Sequence, residues 1–193
     1  MRYKMDTDDA ASSLEGWAFL LFHSQWPCYA FADQLNQLYD YRLTRIDDML
    51  IDDIQWPFFT HADTVGHTHF FLAERPLNAK GAPWEPGDKL LAIKGDNAGQ
   101  VAQFIHKDFT SESRIDDGDL LASEHAMQMG LLLADFTVAS LIDFDATELS
   151  RKAQRELAST ELFCERILAY IEGHHLDLGE AERMRIIMQH EKK

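Results

Sequence analysis

The chain has 193 residues, 46% apolar and 11% aromatic, with 33 acidic against 18 basic side chains and a formal charge of −15. That length suits one domain with a modest appendage, and that apolar share is enough for a packed core. Such a charge, with no Lys/Arg stripe, argues against nucleic-acid or anionic-lipid partners, and the longest apolar run (Trp17 to Phe22) is far too short to span a bilayer.

Residues 1–13 are polar and acidic after Arg2 and Lys4, without the apolar core of a signal peptide, which predicts a flexible leader and a cytoplasmic chain. Trp17 to Phe22 is a nearly continuous apolar run of strand length, as expected for burial on both faces of a sheet. Ser24 can cap a following helix over Pro27 to Leu38, where Pro27 suits the first turn and Tyr29, Ala32, Leu35, Leu38 and Tyr39 repeat at helical spacing. Tyr41 to Ile46 alternates as a half-exposed strand does. Met49-Leu50-Ile51, bracketed by Asp47-Asp48 and Asp52-Asp53, fits a helical turn or an irregular edge strand.

Gln55 to His61 and His67 to Glu74 read as a hairpin rich in aromatic and branched residues, with Gly66 suited to a positive-φ position in its turn. Arg75 to Asp88 holds Pro76, Pro83 and Pro86 and is a surface loop. Lys89 to Lys94 is a strand, followed by a helix to Phe109 with Val101, Phe104 and Ile105 inward. Thr110 to Asp119 is a connector and Leu120 to about Leu133 a helix. Phe136 to Phe144 fits a continuation of that helix or a strand, and the strand is favoured although Leu141 interrupts its alternation. Asp145 with Glu148 makes a capping-box-like start to a long helix ending at Gly173, and a short helix carries Met184, Ile187 and Met188.

The segment 28–36 (Cys-Tyr-Ala-Phe-Ala-Asp-Gln-Leu-Asn), followed by Leu43-Thr44-Arg45-Ile46-Asp47-Asp48, resembles the small bacterial IPExxxVDY proteins. Phe70-Phe71-Leu72, Leu91 to Asp96 and Leu141 to Asp145 are similar to that family's later strands, so the resemblance covers Trp17 to Lys152. Pro83-Trp84-Glu85 is the nearest echo of the namesake motif, and Val-Asp-Tyr is absent. The resemblance implies a compact α+β domain, supports a strand at 136–144 and supplies no catalytic residues.

Among candidate sites, His61, His67 and His69 are the sharpest. Residues two apart on a strand share a face, and a five-residue turn can set His61 opposite His67, a set of imidazoles suited to zinc or another divalent transition metal. The competing account is a solvent-facing hairpin that happens to carry histidines. The acidic pairs lack a calcium-loop pattern, there is no Gly-x-Ser-x-Gly elbow, and Gly95 to Gly99 has neither phosphate-loop motif. Cys28 and Cys164 read as buried free thiols in a reducing compartment. Trp84 in the Pro/Gly loop and Met184, Ile187 and Met188 on the terminal helix are candidate contact residues, though a loop Trp can equally fold back as a lid on the core.

The expectation is therefore an α+β fold: a mainly antiparallel sheet of about five strands with helices on one face, a ferredoxin-like split βαβ variant. Residues 14–145 would form this domain and residues 146–193 a C-terminal helical extension packed on it or on a partner subunit. The function expected is a non-enzymatic interaction or structural protein, without cofactor, forming a homodimer. The alternative is a divalent-metal protein or enzyme built on the hairpin histidines.

Overall fold

Seven residues from Trp17 to His23 form strand β1, and its apolar side chains on both faces place it inside the sheet, between two neighbours. The computed structural model describes residues 14–63, 66–79, 84–109 and 137–190; the expected leader, the connector after Phe109 and the helix expected from Leu120 lie outside them. The elements that follow β1 are α1 (Cys28–Tyr39), β2 (Thr44–Arg45), β3 (Met49–Ile51), β4 (Ile54–Trp56), β5 (Phe58–Asp63), β6 (Thr68–Glu74), β7 (Lys89–Lys94), α2 (Ala98–Asp108), β8 (Val138–Leu141), α3 (Arg151–Gly173) and α4 (Glu180–His190). The fold is α+β.

The main sheet has six strands in the order β2-β5-β6-β7-β1-β8, one more than expected, and β3 and β4 form a separate hairpin. Every neighbouring pair in the main sheet is antiparallel. Counting directions across it, β1 and β2 run parallel with three strands between them and α1 in their connection. β7 and β8 likewise run parallel with β1 between them, and α2 opens their connection.

Alternation along the strands makes two cores. Leu20, Phe22, Phe59, Phe70, Leu72, Leu91 and Ile93 face α1 and α2, which contribute Phe31, Ala32, Leu35, Ala102 and Ile105. Phe19, Phe58, Phe71, Ala73, Leu90 and Ala92 face the other way, onto Phe163, Cys164, Ile167, Leu168 and Ile171 of α3 and onto the β3–β4 hairpin. The C-terminal helix α3 thus closes the second face. Among the described residues, no helix is long and apolar enough to cross a membrane.

Local chemistry moved several details. The undecided stretch at 49–53 is a hairpin, because Asp52 and Asp53 both take positive φ (50° and 60°), as a two-residue type I′ turn requires. Ser24 does not cap α1: Pro27 is the N-cap residue, its carbonyl accepts from Ala30 and Phe31, and the Ser24 hydroxyl accepts from the Trp26 N–H instead. Phe104, expected inward, and Tyr29, part of the apolar repeat of its helix, are mostly exposed, since Ala102 and Phe31 hold the inner phase of those helices. The helix α3 starts at Arg151, capped by Ser150 Oγ accepting from Ala153 N at 3.3 Å, and not at Asp145. In the β5–β6 turn His67 takes positive φ (51°), and a Cβ at Gly66 would meet only the carboxylate end of the Asp63 side chain, which can give way.

Candidate functional site

The hairpin histidines do not converge. The β5–β6 register pairs His61 with Phe70 and Ala62 with His69, so His61 shares a face with Phe70 while His69 shares the opposite face with Phe71. The expectation that His61 faces His67 fails because the ladder closes at Asp63 and Thr68, leaving His67 in the turn. His61 lies beside Tyr41 and Phe70, with ring centroids 5.6 and 5.7 Å away, and the His69 ring lies 6.4 Å from that of Phe71. Both imidazoles have pKa values lowered first by desolvation, partly countered by Asp63 at His61 and by Asp177 at His69. Among the described residues, no group of three or more His, Cys, Asp or Glu side chains is placed to hold a metal.

His174 and His175 belong to the end of α3. The His175 N–H donates to Glu172 O at 3.0 Å and the Leu176 N–H to Ile171 O at 2.9 Å, with His175 at φ 54°, which is the Schellman arrangement. His175 therefore takes the left-handed position that usually selects glycine, and Gly173 remains in the helix. Leu176 is thereby returned to the α3 core beside Ile171, and the next residue, Asp177, meets Lys94 Nζ at 2.6 Å.

Trp84 is not a contact residue. It is 4% exposed and packs edge-on against Trp56 and Phe163, a lid over the α3 core and not a surface anchor. Met184 and Met188 do stand out from α4, at 53% and 54% exposure, and of Ile187 only its place in the same helix is described.

One polar constellation had not been expected. A cleft of about 590 Å³ opens between the β1–α1 loop and the 84–88 turn. Lys89, 1% exposed, sits at its base; its Nζ donates to Ser24 O and Gly87 O and lies 3.5 Å from Glu74 Oε2. Asp88 Oδ2 accepts from Glu85 N at 2.9 Å and lies 2.8 Å from His23 Nδ1, with the imidazole about half exposed. The Ser24 hydroxyl accepts from Trp26 N and meets Thr137 Oγ1 at 3.1 Å. Two of its protons are engaged by those carbonyls and the Glu74 carboxylate lies within ion-pair reach, so Lys89 acts as a strut joining β6, β7, the loop and the turn. Its signal in the sequence was phase: Lys89 lies two residues from Leu91 and four from Ile93, on their buried face. His23 and Asp88 carried no such signal, because only the β1–β7 register, which sets Phe22 opposite Lys89, brings them together.

Cys28 and Cys164 are both free and buried. Burial first, then the Glu74 carboxylate, pushes the Cys28 thiol up to about 12, and burial raises Cys164 as well. Neither is a poised nucleophile. No model of a known protein family matches the chain, and no curated protein does.

Proposed function

We propose that the chain is a non-enzymatic interaction protein that pairs with a second copy of itself through α4. The observation that carries this reading is the pair Met184 and Met188, one helical turn apart and each more than half exposed. Both faces of the sheet are already covered without them. Charge favours the same helix: Glu180 and Glu182 balance Arg183 and Arg185, so α4 is near neutral on a chain of −15. Two acidic copies can approach there without stacking like charges.

The two buried, unpaired thiols support a reducing, cytoplasmic setting, and the acidic surface supports a partner other than nucleic acid. The strand order β8-β1-β7-β6 supports reading the scaffold as a ferredoxin-like split βαβ with β2, β5 and the β3–β4 hairpin added before β6. Kinship with the IPExxxVDY proteins is part of the same proposal. Fold alone carries no activity.

Light scattering on the full chain and on a chain ending at Leu178 tests the pairing. That end point keeps Leu176 in the core and Asp177 on Lys94. A dimer mass for the first and a monomer mass for the second is expected; two monomer masses overturn the proposal. The alternative, a divalent metal on His61, His67 and His69, is checked by elemental analysis of the same untagged protein, where about one zinc per chain would revive it.

A further inference from the structure

The cleft between the β1–α1 loop and the 84–88 turn is negative where a ligand can reach it. Its volume of about 590 Å³ falls inside the roughly 300–1,000 Å³ range of small-molecule sites. Three carboxylates line it, those of Glu74, Glu85 and Asp88, against the single ammonium of Lys89. Lys89 is 1% exposed and turned to Ser24 O, Gly87 O and Glu74, so its charge is spent inside the wall. Glu85 is exposed.

The polar side chain best placed to meet a ligand is His23, which lines the cleft and is 47% exposed. Its Nδ1 lies 2.8 Å from Asp88 Oδ2. A carboxylate only accepts, so Nδ1 carries the proton and Nε2 of the neutral ring is left as a lone-pair acceptor. Among the described residues, nothing donates to Nε2. Asp88 cannot swing away. Its Oδ2 accepts from Glu85 N, its own N–H donates to Glu85 O at 3.1 Å, and its carbonyl accepts from Arg75 N at 2.8 Å. The imidazole is therefore set in one orientation before a ligand arrives, which lowers the cost of binding. Trp26, Pro27 and Pro86 supply apolar surface around it.

We propose that this cleft binds a small organic cation, a protonated amine on an apolar body, which donates an N–H to His23 Nε2 and is balanced by Glu85. The acceptor calls for a donor, the excess of carboxylate calls for positive charge, and Trp26 with the two prolines calls for an apolar body. An anion would meet carboxylates with no reachable lysine or arginine in the lining to answer it. A neutral alcohol would keep the hydrogen bond and lose the charge. The proposal does not depend on pairing through α4, since no residue of that helix lines the cleft.

The test is an NMR titration of the full-length, ¹⁵N-labelled chain at pH 8, where imidazole is neutral and an alkylamine charged. Salt at ~0.15 M screens diffuse attraction to the acidic surface. Phenethylamine is the probe, with phenethyl alcohol as the neutral control and hydrocinnamate as the anionic one. The His23 ring nitrogens and the Trp26 indole N–H, assigned by His23→Phe and Trp26→Phe, are the reporters. The amine is expected to move both saturably and to bind about tenfold more tightly than the alcohol, while hydrocinnamate leaves them unmoved. Glu85→Gln should remove most of that difference and leave the alcohol binding as before. The variant keeps the fold, because Glu85 is exposed and only its backbone N–H serves Asp88. His23→Phe should weaken amine and alcohol alike, since both donate to Nε2. No saturable shift up to about 10 mM amine overturns the proposal. So does equal binding of amine and alcohol to the native chain, or a preference for the amine that Glu85→Gln leaves undiminished. The comparison of the three probes on the native chain stands even where a variant fails to fold.

Discussion

Asn36 and Leu43 hold each other in both directions: Asn36 Oδ1 accepts from the Leu43 N–H at 2.7 Å, and its Nδ2 donates to Leu43 O at 3.1 Å. The amide side chain copies the pairing of a neighbouring strand, and so fixes the angle at which the chain leaves α1 and enters β2. Only two residues of β2 pair with β5, so this clamp supplies much of the edge's definition. Replacing Asn36 with Ala leaves one backbone donor and one acceptor partly buried and unmatched. We predict a loss of about 1–3 kcal/mol, read as a lower denaturation midpoint at unchanged slope. A loss within error would show that water serves Leu43 equally well.

Among the described residues Lys89 is the most enclosed cation, and its strut role makes a sharp prediction. Lys89→Met strands two carbonyls and the Glu74 carboxylate beneath α1. Breaking a buried pair from one side typically costs about 3–5 kcal/mol, and that is the loss expected in urea unfolding. Adding Glu74→Leu should recover part of it, since the uncompensated charge is then gone. Full stability in Lys89→Met alone would contradict the strut.

How much of this was legible beforehand depends on which force decided each element. Strands β1 and β7 were readable because unbroken apolar runs have few other homes, and α3 because its stripe from Leu157 to Ile171 is long. The β3–β4 hairpin was left open because Asp52-Asp53 is a weaker turn signal than Asn-Gly, although it satisfies the same backbone demand. The hairpin histidines misled through register: shifting the turn by one residue moves His61 to the other face, and no local feature of residues 62–67 announced which turn would form. Trp84 looked exposed because it sits among prolines and glycines; only Phe163, distant in sequence, reveals that it is a lid. The cleft was invisible for the same reason, being assembled from segments that meet only after the sheet has formed.

The two histidines on opposite faces yield a pH prediction. Desolvation holds both His61 and His69 below the ordinary value of 6.5, so below that pH the unfolded chain binds more protons than the folded one. Stability contributed by their neutral forms is present above 6.5 and is lost as pH falls through their folded-state pKa values. Proton NMR titration should give midpoints under 6.5 for both, and the melting temperature should drop between pH 7 and pH 5. His61→Phe, which keeps the stack on Tyr41, should remove part of that drop. A midpoint above 6.5 for either ring would refute the assignment of burial as the dominant cause.

Phe163 joins two indoles to the second core. Its ring lies 5.3 Å from both Trp56 and Trp84, and Arg166 lies over its face at 5.7 Å. Phe163→Ala would open further a cavity of about 360 Å³ that it lines with Trp56 and Ala79, and remove three ring contacts. The expected cost is about 3–5 kcal/mol, with tryptophan emission moving to longer wavelength as the indoles meet water. An unshifted spectrum with the full loss of stability would mean that Trp56 and Trp84 stay enclosed without it.

The thiols give the alkaline counterpart. An ordinary cysteine ionises near 9.0, whereas Cys28 in the folded chain holds its proton to about 12, and Cys164 is raised too. Between those limits the unfolded chain loses protons that the folded chain keeps, so stability declines as pH rises from 9 towards 12. At pH 8 the same burial should make both cysteines slow towards a disulfide reagent in the native chain and fast in denaturant. Prompt reaction of one equivalent under native conditions would place that sulfur at an accessible site and contradict its burial. Cys28 is the more informative of the two, because it opens α1 beside the Lys89 strut: if Lys89→Met loosens that corner, Cys28 should become reactive while Cys164, on the opposite face, stays slow.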